Sequence, residues 1–492
     1  MKTKKYKINS KQKQATRKKR SFWDQSFSKR LKRGGSVIAS GGFGCIFNPA
    51  LKCKNKTHKN INLVSKLMKI KNAKKEFKEI TKFKPILQKI PNYQNYFLIE
   101  GFSLCQPDTI LNTDLQNFNK KCSALKKIDI NENNINKHLN KLLALNMPFG
   151  GISVDKFIDK NATNIHIMKY LNKCLIELLE KGIIPMNSLG VFHCDLKSSN
   201  ILVNEKNDKL YTKIIDWGLS TTYNINNINN NNNNNNTIPD VLTRRPLQYN
   251  VPFSNILFNS TFNKLYSKFL NQLKDNSEKQ TYDNTYTFTI EYVLKWITER
   301  GQGHIKTISN FYSIFFINQK IDLKVSNLHI KYEKTFHFIF KYITEILVAF
   351  THNYDFNIMD YFNHVFIKNI DVWGLVLSYI PFLEYSYDYP NNSNQKINDY
   401  FKKLITIILN ASIKPIPIDL LTDTLTQFNK IIYYYKHDKS TSTSSSSSSS
   451  HFFEIIESDK HLSITEKKER KKVEHAFIIK TLKSIISSNS KS

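Results

Sequence analysis

Residues 191–203 read VFHCDLKSSNILV. A polar core, His193-Cys194-Asp195-Leu196-Lys197-Ser198-Ser199-Asn200, lies between two short apolar runs. Runs of that length and composition read as strands, and the polar stretch between them as a loop. A loop so anchored aims Asp195, Lys197 and Asn200 together. Their chemistries are complementary. A carboxylate orients or deprotonates a hydroxyl, an amine offers positive charge to a moving phosphoryl group, and an amide offers a neutral oxygen to a hard cation. Sixteen residues beyond Asn200 a further apolar run delivers a second carboxylate, in Asp216-Trp217-Gly218, where glycine permits a sharp turn.

Upstream, SVIASGGFGCIF (36–47) alternates and is glycine-rich, reading as strand, turn, strand. NLVSKLMKI (62–70) reads as a third strand. KNAKKEFKEITKFKPIL (71–87) has helical spacing and is expected to end near Pro85 or Pro91. YFLIEGFSL (96–104) and the run through LLALNMP (142–148) read as further strands. Helical patterns then take over, as in NATNIHIMKYLNKCLIELLEKG (161–182) and KTFHFIFKYITEILVAF (334–350). A small β-rich lobe at 35–150 therefore precedes a larger helical lobe at 151–435, an α+β arrangement.

The two polar motifs, in this order, resemble the H-R-D-L-x-x-x-N catalytic loop and the D-F-G triplet of protein kinases; here they read H-C-D-L-K-S-S-N and D-W-G. The resemblance implies a protein-kinase-like bilobal fold whose C-lobe carries an insertion. It implies Asp195 as catalytic base, Lys197 on the γ-phosphate of ATP, and Asn200 and Asp216 as ligands of Mg²⁺. Ser40–Phe47 resembles the glycine-rich loop. Aligning Gly44 and Ile46 with the last Gly and the Val of G-x-G-x-x-G-x-V puts Gly41 second and Ala39 where the first Gly stands. By that alignment Ala39, Ser40, Gly41, Gly42, Phe43, Gly44 and Ile46 cover the ATP phosphates. VSKLMK offers Lys66 and Lys69 as the strand lysine. Lys66, directly after an apolar run, is preferred. Its partner is Glu76 or Glu79, one helical turn apart, with Glu76 narrowly preferred. LNMPFGGISVDKF (145–157) resembles the hinge. Pro148 has no N–H, which leaves Met147 or Phe149 for adenine. Asp371-Val372-Trp373-Gly374-Leu375 resembles the D-x-W signature of the central C-lobe helix, whose Asp accepts backbone N–H groups of the catalytic loop.

Three departures have consequences. Cys194 replaces the Arg that pairs with a phosphorylated activation loop, so loop phosphorylation is not expected to switch activity unless Arg244 or Arg245 substitutes for it in space. No A-P-E follows D-W-G; RRPLQYNVPFSNILF (244–258) stands there instead. Over 150 residues separate Asp216 from Asp371, so the helical lobe carries an insertion. These features, with GGFGCIF, VSKL, MPFGGIS and PLQYNVPFS, are similar to protein kinases encoded by giant DNA viruses. The expected function is an ATP- and Mg²⁺-dependent protein kinase acting on Ser/Thr of a protein substrate, since Lys197 in D-L-K-x-x-N favours Ser/Thr over Tyr. Two alternatives stand beside it. One is a pseudokinase or nucleotide-binding scaffold, against which Lys66, Asp195, Asn200 and Asp216 are all present. The other is a small-molecule kinase of similar fold, which the missing A-P-E keeps open.

Composition bounds the rest. The 492 residues hold 73 Lys+Arg against 40 Asp+Glu, a formal charge of +33 that favours polyanionic partners. Scattered Lys alongside abundant Asn and Ile is also what an AT-rich genome yields. Residues 1–34 read as a basic disordered arm, and 1–33 carry dense Lys/Arg with one acid, Asp24. Nucleic acid or another polyanion is the partner such an arm suits. INNINNNNNNNNT (225–237) and STSTSSSSSSS (440–450, within a linker at 436–452) bury too little apolar surface to order themselves. The tail 453–492 reads as a basic amphipathic helix. MKTKKYKINSKQKQ lacks the apolar core of a signal peptide, and no run of about 18 apolar residues exists, so no membrane is expected. The six cysteines form no C-x-x-C pair. They read as reduced thiols of an intracellular protein, in host cytoplasm, viral factory or virion, or in the nucleus.

Overall fold

The structure, a computed structural model, describes residues 36–54, 56, 60, 62–207, 209–224, 237–315, 325–388, 394–432 and 464–489. The basic arm 1–34, all but Thr237 of the Asn tract, the Ser linker 436–452 and residues 453–463 of the tail lie outside the described residues. The chain divides into two compact units. The first holds the residues up to Lys78 together with Glu100–Phe149; the second holds Glu79–Ile99 together with Gly150 onward.

In the first unit, strands β1 (Ser36–Ser40), β2 (Gly44–Asn48), β3 (Leu63–Lys69), β4 (Ser103–Cys105) and β5 (Leu142–Pro148) form one antiparallel sheet in the order β1-β2-β3-β5-β4. Period-two alternation turns Cys45 and Phe47 of β2 inward. Central β3 is buried from Val64 to Met68. Val37, Phe47, Leu67 and Leu142 share a core with Phe118 and Leu125 from two short helices, Phe118–Lys121 and Ser123–Lys126.

Four cysteines of this unit form two disulfides, Cys45–Cys122 and Cys53–Cys105. This corrects the reading of all six as reduced. The partners lie 77 and 52 residues apart in the chain. Sheet and helix packing brings them together, and no short spacing signals such pairs. Cys174 and Cys194 are free and buried. The unreduced chain, denatured under a thiol reagent, is therefore expected to titrate two thiols, and six after reduction. Six thiols without reductant would show that the bridges do not form.

The helix Ile70–Leu87 runs through Pro85 and stops two residues later. Its second half belongs with the second unit, as do residues up to Ile99. Phe83 and Phe97 pack on the fully buried Trp217, ring centres 5.8 and 5.9 Å away. Leu98 N–H donates to Ile214 O at 3.1 Å. Residues 79–99, assigned to the first lobe on sequence, thus share the second unit's core. The strand expected over 96–104 shortens to Ser103–Cys105 for the same reason, because Phe97 and Leu98 are already bridged to Ile214.

The second unit carries short strands β6 (Ile152–Ser153), β7 (Val191–Phe192), β8 (Ile201–Lys206), β9 (Lys209–Ile214) and β10 (Thr221–Thr222), paired as β6-β8-β9 and β7-β10. Helices make up most of the remainder. Ile165–Leu178 starts at Asn164, whose side chain accepts from Ile167 N–H. The region between Asp216 and Asp371 folds as helices, among them Ser260–Asp275, Tyr282–Arg300, Ile305–Tyr312 and Val325–Ala349. The helix Ile367–Leu377 follows. The stretch Ile358–Tyr385 has the length and hydropathy to cross a membrane, but its apolar window is 94% buried inside the protein, which makes it core. The tail forms the helix Ile464–Asn489, which packs on Tyr282–Arg300 and Val325–Ala349 and buries Ile478, Leu482 and Ile485.

Candidate active site

The loop 193–200 is built from its anchors outward. Asp371, on the helix Ile367–Leu377, accepts His193 N–H and Cys194 N–H, each at 2.8 Å, on its two carboxylate oxygens. A Cβ on Gly374 would stand 2.6 Å from Leu196 O, so glycine is what lets the loop lie against that helix. With its amide nitrogen turned inward, Asn187 donates to Asp371 Oδ2 at 2.9 Å and to Val191 O at 3.1 Å. Burial pushes the Asp371 carboxyl up to about 7, and the two backbone N–H groups oppose that rise. Cys194 takes φ 60°, in the left-handed region. Its thiol is fully buried and pushed well above the ordinary thiol range, which makes it an inert, neutral group. His193 is buried and pushed down, hence neutral. Its Nε2 meets Ile215 O at 2.9 Å, and since a carbonyl only accepts, Nε2 carries the proton.

Asp371 yields a pH prediction. A carboxyl held above its unfolded value of 3.8 binds its proton more tightly in the folded chain. The stability it contributes is full below pH 4 and is lost as pH rises through about 7. Asp371→Asn removes this dependence. Unfolding midpoints at pH 5 and pH 8 should lie closer together in the variant than in the wild type, and an unchanged gap would contradict the assignment.

Within the loop, Asp195 is held on both oxygens. Oδ2 accepts Lys197 Nζ at 2.8 Å and Asn200 Nδ2 at 3.2 Å, and Oδ1 accepts Asn250 Nδ2 at 2.9 Å. Asn200 Nδ2 also donates to Asp195 O at 2.9 Å. Ile215 N–H donates to Asn200 O at 3.0 Å, which sets Asp216 beside Asn200 at one end of the β8–β9 hairpin. Asp216 takes φ 66° and opens the turn Trp217–Leu219. The four residues expected to act together, Asp195, Lys197, Asn200 and Asp216, are thus brought together.

Both donor chemistry and geometry bear on a metal here. Asn200 commits its nitrogen to Asp195, and its Oδ1 receives no hydrogen bond among the described residues. One amide oxygen and one carboxylate suit Mg²⁺, which keeps waters and takes phosphate oxygens for its other positions. Among the described residues no cluster of three or more His, Cys, Asp and Glu offers a denser metal site.

In the first unit, Ala39 and Ser40 end β1, Gly41–Phe43 form the turn, and Gly44 and Ile46 lie on β2. Gly41 N–H donates to Gly44 O at 2.9 Å, and Phe43 is exposed at the tip. A Cβ on Gly44 would sit 2.7 Å from Leu67 O, which explains glycine there. Ser40 Oγ accepts Ala124 N–H at 3.1 Å and thereby ties the base of the turn to the helix Ser123–Lys126. Lys66, opposite Ile46 in the sheet, is buried, and its Nζ lies 2.8 Å from both carboxylate oxygens of Glu76. Lys69 is exposed, and Glu79 is half-buried in the second unit. Met147 is buried on β5, whose last residue is Pro148.

Two further residues reach Asp195 from outside the motifs. Asn250 donates to its carboxylate. Arg245, buried, donates through Nη1 to Cys194 O at 2.8 Å and holds Nη2 3.9 Å from Asp195 Oδ1. Sequence reading named Arg245 only as one of two spatial substitutes and did not find Asn250; position after the Asn tract carries no spacing signal for either. The chain matches no curated protein. Residues 33–240 match the family model described as protein tyrosine and serine/threonine kinase, and the chain accordingly carries a protein kinase domain.

Proposed function

We propose that the chain is an active ATP- and Mg²⁺-dependent serine/threonine protein kinase that transfers the γ-phosphate of ATP to protein hydroxyls. The observation that carries this reading is the Asp195 carboxylate held by Lys197 and Asn200, with Asp216 beside Asn200. Asp195 accepts the proton of the substrate hydroxyl, and Lys197 offers its charge to the phosphoryl group in transit. Asn200 Oδ1 and Asp216 hold the cation, and bound Mg²⁺ supplies neutralisation of charge on the phosphate oxygens. Lys66, oriented by Glu76, binds the non-transferred phosphates, and the turn 39–46 offers them its backbone N–H groups. The lysine two residues after Asp195 supports Ser/Thr over Tyr.

Further proposals accompany this reading: kinship with kinases encoded by giant DNA viruses, an intracellular location, and contact of the arm 1–33 with nucleic acid or another polyanion. The decisive experiment offers labelled ATP and Mg²⁺ with mixed basic proteins to the wild-type chain and to Asp195→Asn. Label on Ser and Thr with the wild type, lost by about 10²-fold or more in the variant, is expected. Equal labelling by both would overturn the assignment.

A further inference from the structure

The segment Arg245–Asn250 lies beyond the residues that match the kinase family model. Nevertheless its backbone is held on four sides. Trp296 Nε1 donates to Arg245 O at 3.2 Å, Asn255 Nδ2 to Pro246 O at 2.9 Å, His304 N–H to Leu247 O at 2.9 Å and Trp373 Nε1 to Tyr249 O at 2.9 Å. Three of these donors come from downstream helical regions, two of them within the insertion before Asp371. The side chains at the two ends of the segment turn onto the catalytic loop. Asn250 Nδ2 bonds Asp195 Oδ1 at 2.9 Å and Leu196 O at 3.1 Å. Arg245 bonds Cys194 O, and its Nη2 is buried with no hydrogen-bond partner among the described residues, 3.9 Å from Asp195 Oδ1. Arg244, by contrast, takes φ 58° and is exposed, so the left-handed turn sends one arginine outward and the next inward.

We infer that Asn250 and Arg245 are positioning residues for phosphoryl transfer, holding the Asp195 carboxylate in the one orientation from which Oδ1 can take a proton. The inference rests on the kinase reading above. Without Asn250, the Asp195 carboxylate keeps its two hydrogen bonds on Oδ2 and loses the one that fixes Oδ1, so its plane is held less firmly. The Arg245 guanidinium keeps positive charge beside that carboxylate, and it is anchored by the carbonyl of Cys194, where kinases of the H-R-D type carry their own arginine. Because this guanidinium is directed inward, it is not presented to a phosphate on a loop. The insertion thereby gains a role, since its Trp296 and His304 hold the segment that holds the base.

The test uses the full chain and follows kcat, KM for ATP, affinity for a fluorescent ATP analogue, and the thermal midpoint. Asn250→Leu is expected to lower kcat by at least about tenfold, toward the ~10²-fold that a misplaced catalytic group costs, with KM for ATP and nucleotide affinity unchanged. Arg245→Gln keeps a donor for Cys194 O but no charge, and is expected to lower kcat likewise. Arg245→Lys restores the charge and is expected to recover most of that loss. Arg244→Gln, one residue away and exposed, leaves kcat unchanged. A wild-type chain without transfer overturns the kinase reading and this inference with it. An active wild type with Asn250→Leu and Arg245→Gln within twofold of it overturns this inference alone. So does a fall in kcat matched by equal loss of nucleotide affinity and folded fraction. If Asn250→Leu does not fold, the Gln and Lys pair at 245 decides the matter.

Discussion

Asp216→Ala is expected to keep the fold and to lose phosphoryl transfer by about 10³-fold or more. The backbone on either side of Asp216 is secured by its neighbours. Ile215 N–H bonds Asn200 O, Ile215 O meets His193 Nε2, and Trp217 is buried between Phe83 and Phe97. The substitution therefore removes charge at a position whose flanking residues are held independently. One structural cost is the left-handed φ of 66°, which alanine adopts at a penalty of about 1 kcal/mol. Asp216→Asn avoids that penalty, because asparagine tolerates the left-handed region, and it leaves one neutral oxygen in the same position. The two variants should share the loss of transfer, and Asp216→Asn should match the wild-type thermal midpoint more closely. Metal-free nucleotide binding, which does not call on Asp216, should persist in both. An Asp216→Ala chain turning over at near wild-type rate would sink the kinase reading.

Asp195, Lys197, Asn200 and Asp216 were legible because their meaning lies in short spacings between apolar runs, and a loop between two strands converts spacing directly into proximity. Lys66 was separable from Lys69 by the same local logic: one lies inside an apolar strand and the other at its end. Glu76 against Glu79 was closer, since both lie on one face of one helix. Burial decides it, because Glu76 is inside with Lys66 and Glu79 groups with the second unit. Contacts between segments far apart in the chain were legible only where a motif marked both ends, as for Asp371 and the N–H groups of His193 and Cys194. Asn250 follows Asp195 by 55 residues and has no motif around it. Residues 79–99 read as part of the first lobe because their apolar pattern says only that they are buried, not against what. The cysteines failed for the same reason, in that spacing reveals a pair only when both thiols lie on one local element.

Reduction of the two disulfides is expected to destabilise the first unit by several kcal/mol. A bridge acts mainly by restricting the unfolded chain, and longer loops gain more. Taken alone, loops of 77 and 52 residues each correspond to about 4 kcal/mol. The loops are nested, however. Once Cys53–Cys105 is closed, Cys45–Cys122 completes a shorter circuit of roughly 25 residues, and its share falls to about 3 kcal/mol. Both together approach the whole stability of an ordinary domain, about 5–15 kcal/mol. The thermal transition of the unit should therefore fall by about 10 °C or more in reductant. Cys45 directly follows Gly44, so the bridge to Cys122 and the bond from Ala124 N–H to Ser40 Oγ tether the two sides of the glycine-rich turn. With the bridge open only the Ser40 tether remains. Hydrogen exchange should accordingly show β1, β2 and β3 losing protection on reduction while the helix Ile165–Leu178, in the unit without bridges, keeps its own. Replacing Cys45 and Cys122 together by alanine should reproduce the smaller share of the effect in the absence of reductant. Oxidised and reduced chains that melt within about 2 °C of each other would show that the bridges contribute little to this fold.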